Sequence, residues 1–167
     1  MSRAFVKESD DDQAAGELPE RPLPPHVNYV TPKGLEVLQA RVRELGVAHE
    51  RLKRESEEDS AARQKLREVE RDLRYFHSQL ERATPVDTEN QPREEVHFGA
   101  IVKIEDDEGV KQEFAIVGDD EADVAAGKIS WASPLARALL GAKIGDTIAW
   151  HRPAGEAEVH IVDIRYP

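Results

Sequence analysis

Between Leu35 and Leu80 the apolar residues fall into two narrow stripes, and no other feature constrains the fold of this chain as tightly. In the first stripe Leu35, Leu38, Val42, Leu45 and Leu52 recur at steps of 3 and 4, with His49 in the remaining slot. In the second, Ala62, Leu66, Val69, Leu73, Phe76 and Leu80 keep the same rhythm without a break. Such spacing puts the side chains of each stripe on one face of a helix. Thr31 is suited to cap the first helix and Pro32 to occupy its first position, where a missing N–H costs nothing. Gly46 is expected to soften that helix locally, and Pro85 forbids extension of the second. Stripes this narrow, flanked by Glu, Lys and Arg, can cover each other and little else. They predict an antiparallel two-helix hairpin, an arm roughly 30–35 Å long at about 1.5 Å per residue.

The turn of the hairpin is expected between Lys53 and Ala61. Ser56 followed by Asp59 resembles a capping box for the second helix. Glu57, Glu58 and Asp59 would then lie in its first turn, where the helix dipole favours negative charge. The same residues, with Glu55, also read as an acidic tip. Hard oxygen ligands suit Mg²⁺, which keeps several waters and accepts one or two protein carboxylates, so the tip could complete a metal site owned by another molecule. From the residues alone both readings stand.

After Val96 the period changes to two. Residues 96–104 and 111–117 read as strands joined by a turn at Asp106-Asp107-Glu108-Gly109. Residues 128–131, 147–150 and 158–164 complete five strands, and Ser133-Pro134 caps a short helix from Leu135 to Leu140 that stops at Gly141. The class is therefore α+β: residues 1–30 a flexible acidic and proline-rich extension, 31–84 the arm, 85–95 a linker, 96–167 a sheet domain. Trp131 and Trp150 are assigned to packing on the sheet.

Composition closes off several functions. With no cysteine among 167 residues, thiolate metal sites, disulfides and cysteine nucleophiles are excluded. The six histidines, at 26, 49, 77, 97, 151 and 160, include no i, i+4 pair of the helical metal-binding kind. No Gly-rich phosphate loop is present, and Ser133 has no base beside it in any known pattern. A self-contained enzyme is not expected. The formal charge of −11 is uneven: residues 84–167 carry 8 Lys or Arg against 17 Asp or Glu, whereas residues 33–83 carry 12 against 11. An acidic sheet domain argues against non-specific DNA binding there and suits a basic protein partner. No apolar run reaches the length of a membrane span, and a cytoplasmic location is the expectation.

Several stretches carry a more specific signal. Phe114-Ala115-Ile116-Val117-Gly118-Asp119-Asp120-Glu121-Ala122-Asp123 resembles a signature of the GreA/GreB family, as does Ile129-Ser130-Trp131-Ala132-Ser133-Pro134-Leu135-Ala136-Arg137-Ala138-Leu139-Leu140-Gly141. Lys143-Ile144-Gly145-Asp146 and Pro153-Ala154-Gly155-Glu156 continue the likeness. In the arm, Thr31-Pro32-Lys33-Gly34-Leu35 resembles the start of the family's first helix, and the stretch from Leu66 to Phe76 resembles the GreB version of its second helix. The resemblance spans about residues 29–166.

It implies an N-terminal coiled-coil arm and a C-terminal domain of FKBP-like fold. It also implies that the partner is RNA polymerase, with the C-terminal domain docked at the rim of the secondary channel and the arm inside it. Nucleic acid would be met only within that transcription complex, by a monomeric factor with no stably bound cofactor. Tip carboxylates would help hold a Mg²⁺ of the polymerase active site and stimulate cleavage of backtracked RNA. Glu55, Glu57, Glu58 and Asp59 are the metal-facing residues on this reading. Arg51, Lys53, Arg54, Arg63 and Lys65 flank the tip and would touch RNA phosphate or the channel wall. Asp119, Asp120, Glu121 and Asp123, with Ser133, Pro134 and Arg137, are the expected docking residues. The family's Asp-x-x-Glu-Asn tip motif is broken here: counted back from the second helix, Glu falls on Glu55, but Asp falls on Leu52 and Asn on Ser56. The arm is about a dozen residues shorter than that of GreB, or about 9 Å less reach. Shorter arms occur in relatives such as Rnk, the regulator of nucleoside diphosphate kinase, which resemble Gre factors without the same cleavage activity.

Overall fold

The computed structural model describes residues 18–167. Helix α1 runs from Pro32 to Glu55 and α2 from Ser60 to Arg82. Thr31 caps α1 by accepting a hydrogen bond from the Gly34 N–H at 2.9 Å, with Pro32 in the first turn. Leu38, Leu45 and Leu52 of α1 and Ala62 of α2 are buried in the seam, while Phe76 and Leu80 are half-covered. The helices are antiparallel: Arg41 stacks over the Phe76 ring and, further along α1, His49 bonds Glu70 at 3.2 Å. Gly46 leaves α1 unbroken, because neighbouring turns supply the hydrogen bonds that one glycine only weakens.

The hairpin turn corrects one expectation. Ser56 ends α1, donating its hydroxyl to the Lys53 carbonyl at 2.9 Å, and Asp59 is the N-cap of α2, accepting from the Ala61 N–H at 2.9 Å. The capping box with Ser56 as cap does not form. A connection of four residues leaves Glu57 and Glu58 ahead of α2 rather than in its first turn.

Residues 18–30 carry contacts that a flexible extension would lack. Strand β1, Asn28–Val30, pairs in parallel with β2, Ala83–Pro85, directly after α2. The Arg21 guanidinium lies 3.9 Å from the centre of the Tyr75 ring and pairs with Asp72 at 3.4 Å, and Arg74 holds Glu20. Composition misled here because the segment is ordered by ion pairs and stacking on α2, and not by an apolar stripe of its own. The rest of the expected extension, residues 1–17, lies outside the described residues.

The sheet domain comprises β3 (Ile101–Asp106), β4 (Lys111–Val117), β5 (Lys128–Ser130), β6 (Thr147–Arg152) and β7 (Gly155–Arg165), with helix α3 (Pro134–Leu139) against it. The strand order is β5-β4-β3-β7-β6, with only β4 and β5 parallel. Val102, Ile104, Ile116, Val159 and Ile161 supply one face of the core and Leu135, Ala136 and Leu139 of α3 close it. Strand β3 begins at Ile101 and not at Val96. Val96, Phe98 and Ala100 alternate like a strand, yet Gly99 turns the chain at φ +87° and the Ala100 N–H returns to the His97 carbonyl. The α+β class, with hairpin first and sheet second, is the architecture observed.

Candidate functional site

Two places gather the residues singled out above: the tip of the arm and the junction where its base meets the sheet domain. At the tip the four carboxylates differ in their surroundings. Glu55 lies 3.8 Å from Arg51, one turn back on α1, and Asp59 is tied down as the α2 cap. Glu57 and Glu58 are exposed and have no ion-pair or hydrogen-bond partner for their side chains among the described residues. Lys53, Arg54, Arg63 and Lys65 are likewise exposed with no such partner, so the loose acids sit in a basic collar. Among the described residues no group of three or more His, Asp or Glu is arranged to hold a metal ion alone. Two free carboxylates match the one or two protein ligands that Mg²⁺ accepts when its remaining positions are filled by others.

At the junction, the turn Asp119–Glu121 follows β4 and points its three carboxylates inward. Asp119 is 2.5 Å from His26 Nε2 and accepts the Ser130 hydroxyl at 2.5 Å. Asp120 accepts the Tyr75 hydroxyl and the Gln79 amide, each at 2.8 Å. Glu121 accepts the Thr31 hydroxyl, the Thr31 N–H at 3.1 Å and the Gly118 N–H at 3.0 Å. Burial, and then the bond to Asp120, push the Tyr75 hydroxyl up to about 12, so it is a donor at neutral pH. Three of the expected docking residues are thus engaged within the chain. Asp123 is exposed beside them, its backbone paired with Lys128. Ser133 caps α3 by accepting the Ala136 N–H at 3.3 Å, Pro134 follows in its first turn, and Arg137 projects outward.

Sequence reasoning missed the partners of this turn. Gln79 is wholly buried; its side-chain amide donates to Asp120 and accepts from Arg82, and its backbone carbonyl accepts from the Asn28 amide. Its signal was present: it lies three residues after Phe76, a polar side chain on the edge of an apolar stripe. Arg21 and His26 gave none, since nothing in a proline-rich stretch says which helix it will follow. Trp131 does pack on the sheet core as expected, and also meets Tyr29 and His26 edge-on at ring-centre distances of 5.0 and 5.1 Å.

Residues 91–166 match the family model described as transcription elongation factor, GreA/GreB, C-term. Transcription elongation factor GreB of Neisseria meningitidis serogroup B is 35% identical over 154 residues, covering 83% of this chain and 94% of its own. The chain belongs to the GreA/GreB family. Transcription elongation factor GreA of Nitratidesulfovibrio vulgaris is 40% identical over 107 residues, covering 64% of this chain and 66% of its own. Among solved structures, GreA factor homolog 1 of Thermus thermophilus aligns at 28% identity over 84% of this chain and 99% of its own, with a TM-score of 0.41. Among the described residues of this Gre-family chain, no helix is long and apolar enough to cross a membrane.

Proposed function

We propose that this chain is an elongation factor that binds RNA polymerase as a monomer, enters its secondary channel with the α1–α2 arm, and presents Glu57 and Glu58 to the active site. The observation that carries the reading is the state of the tip. These two carboxylates are exposed and have no partner among the described residues, at the end of helices of 24 and 23 residues, an arm of about 35 Å at about 1.5 Å per residue. Glu57 and Glu58 would share a Mg²⁺ with the polymerase, and that ion would supply a polarised water for cleavage of backtracked RNA. Asp59 keeps the two acids at the outermost point by starting α2 directly behind them. Glu55, paired with Arg51, is the weaker ligand. The basic collar of Lys53, Arg54, Arg63 and Lys65 would offset the repulsion between the acidic tip and RNA phosphate.

A second reading is a regulator that occupies the channel without supporting cleavage. The observation favouring it is that two of the four tip carboxylates are already engaged locally. Transcript cleavage in stalled complexes separates the two. Stimulation by wild type, lost in Glu57→Ala/Glu58→Ala and kept in Glu55→Ala, supports the first reading. Absence of stimulation together with competition against a working Gre factor supports the second. Failure to bind polymerase at low salt refutes both.

A further inference from the structure

The arm and the sheet domain do not share a core. The buried cluster of the sheet domain runs from Val96 to Ile164 and includes no residue of the arm. Where the two parts meet there is a cavity of about 200 Å³, lined by Val30, Val37, Leu38, Arg41 and Phe76 together with Gly118, Asp120 and Glu121. An apolar interface with a cavity in it fixes an angle poorly, because the lining side chains lack contacts on one side. Beside the packing of Tyr29 and His26 on Trp131, directional bonds can set the direction of the arm, and they converge on three consecutive residues.

Each carboxylate of the turn grips a different piece of chain. Asp119 takes His26 of the N-terminal segment, Asp120 takes Tyr75 and Gln79 of α2, and Glu121 takes Thr31 at the start of α1. Glu121 also sits at the positive end of a long helix, where a negative charge is favoured. Two glycines make the approach possible. A Cβ on Gly34 would overlap the Glu121 carboxyl, and one on Gly118 would overlap the Tyr29 carbonyl oxygen. The N-terminal segment completes the grip from behind: Arg82 donates to the carbonyls of Pro24 and His26 at 2.9 and 2.7 Å, and Arg21 stacks on Tyr75, the residue that Asp120 holds.

We propose that Asp119, Asp120 and Glu121, with residues 20–26 as a strap, form a latch that holds the arm at one angle on the sheet domain. They are positioning residues: they act on whatever the tip does by fixing where the tip is. The consequence for transcript cleavage rests on the placement in the polymerase proposed above; the latch itself does not, and it can be tested on the free protein.

The absence of cysteine makes the test clean, since two introduced cysteines are the only labelling sites. Spin labels at Ser56→Cys on the tip and Ala149→Cys on exposed β6 report the tip-to-sheet distance by pulsed electron resonance. The latch requires one narrow distance distribution in the otherwise unaltered full-length chain. Glu121→Ala, and Glu121→Ala combined with Arg21→Ala, should broaden it at least twofold with helix content unchanged by circular dichroism. Asp123→Ala, removing an acid next to the turn that makes no such bonds among the described residues, should leave it as it was. An unchanged width in the double variant overturns the latch, as does equal broadening by Asp123→Ala. Should the double variant lose helix content, Tyr75→Phe, which removes one hydroxyl only, decides: broadening supports the latch and an unchanged width overturns it. Absence of cleavage stimulation by the wild-type chain, with its distance distribution narrow and broadened in the latch variants, would count against the polymerase placement and not against the latch.

Discussion

Glycine-to-alanine substitution at three positions should have three different outcomes. At Gly46, in the middle of α1, an added Cβ meets nothing within 4 Å. The substitution then only removes the backbone entropy that glycine loses in a helix, and should stabilise by about 0.5–1 kcal/mol. Gly34 lies in the same helix, one turn from its start, and its Cβ would overlap the Glu121 carboxyl. That group is the far end of a flexible side chain, so relief by moving it is sterically easy. Moving it breaks its bonds to the Thr31 hydroxyl, the Thr31 N–H and the Gly118 N–H. Hydrogen bonds to an ionised group are worth about 1.5–3 kcal/mol each when well buried. Glu121 is only half-buried and water recovers much of that, so a total loss of about 2–3 kcal/mol is reasonable. Set against the gain in helix propensity, Gly34→Ala should destabilise by about 1–2 kcal/mol. At Gly118 the obstacle is the Tyr29 carbonyl oxygen, which is backbone beside the β1–β2 pair. No rotamer relieves it, and Gly118→Ala should cost about 2–3 kcal/mol or more. Urea midpoints followed by circular dichroism at 222 nm give the order Gly46→Ala, wild type, Gly34→Ala, Gly118→Ala, from most to least stable. A Gly34→Ala chain as stable as Gly46→Ala would refute the seating of Glu121 over the α1 terminus, because nothing else distinguishes the two sites by sign.

Two further perturbations have defined outcomes. Asp59→Ala removes the α2 cap and should cost about 1 kcal/mol, whereas Glu57→Ala and Glu58→Ala should stay within about 0.5 kcal/mol of wild type; urea midpoints check both, and a large loss from either glutamate would mean that its side chain is not free. Tyr75 is raised to about 12 by burial and then by its bond to Asp120, against about 10 in the unfolded chain. Its contribution to stability is complete below about pH 10 and is lost as pH rises through about 12, so Tyr75→Phe should flatten the alkaline fall in melting temperature, and an unchanged fall would show that the hydroxyl ionises as freely folded as unfolded.

The parts of the fold legible in the sequence are those set by repetition. Leu38, Leu45 and Leu52 are buried because a seam between two helices admits one face of each, and a stripe at steps of 3 and 4 declares that face. Strand β4, expected from Lys111 to Val117, is observed over those residues, since the turn at Gly109 (φ +80°) and the glycine after Val117 bound it on both sides. Failures came where one local pattern satisfied two rules. Val96 to Ala100 alternate correctly for a strand, and only the left-handed Gly99 shows that they turn. Ser56 and Asp59 are both good caps, and which one starts α2 depends on where α1 runs out: α1 continues past the buried Leu52 to Glu55, which leaves Ser56 as its C-cap and Asp59 to start α2. The order of residues 18–30 was illegible for a different reason: its anchors, Arg74, Asp72 and Tyr75, lie some 50 positions away and carry no mark of being paired.

The same distinction decides how an acidic cluster should be interpreted. Asp119, Asp120 and Glu121 and the tip residues from Glu55 to Asp59 look alike in one dimension, as short runs of acid in a turn. In the fold the first run meets a helix N-terminus, a tyrosine, a buried amide and a histidine, so every carboxylate is engaged at home. The second run stands at the far end of two helices, where two of its members are bonded, Glu55 with Arg51 and Asp59 with the Ala61 N–H. A carboxylate left without donors keeps its full capacity for a cation brought by something else, and one already bonded must first give that bond up. On the proposals made above, the acids at the base of the arm set its direction, and Glu57 and Glu58, exposed and without a bonded partner among the described residues, are the ones offered to a cation.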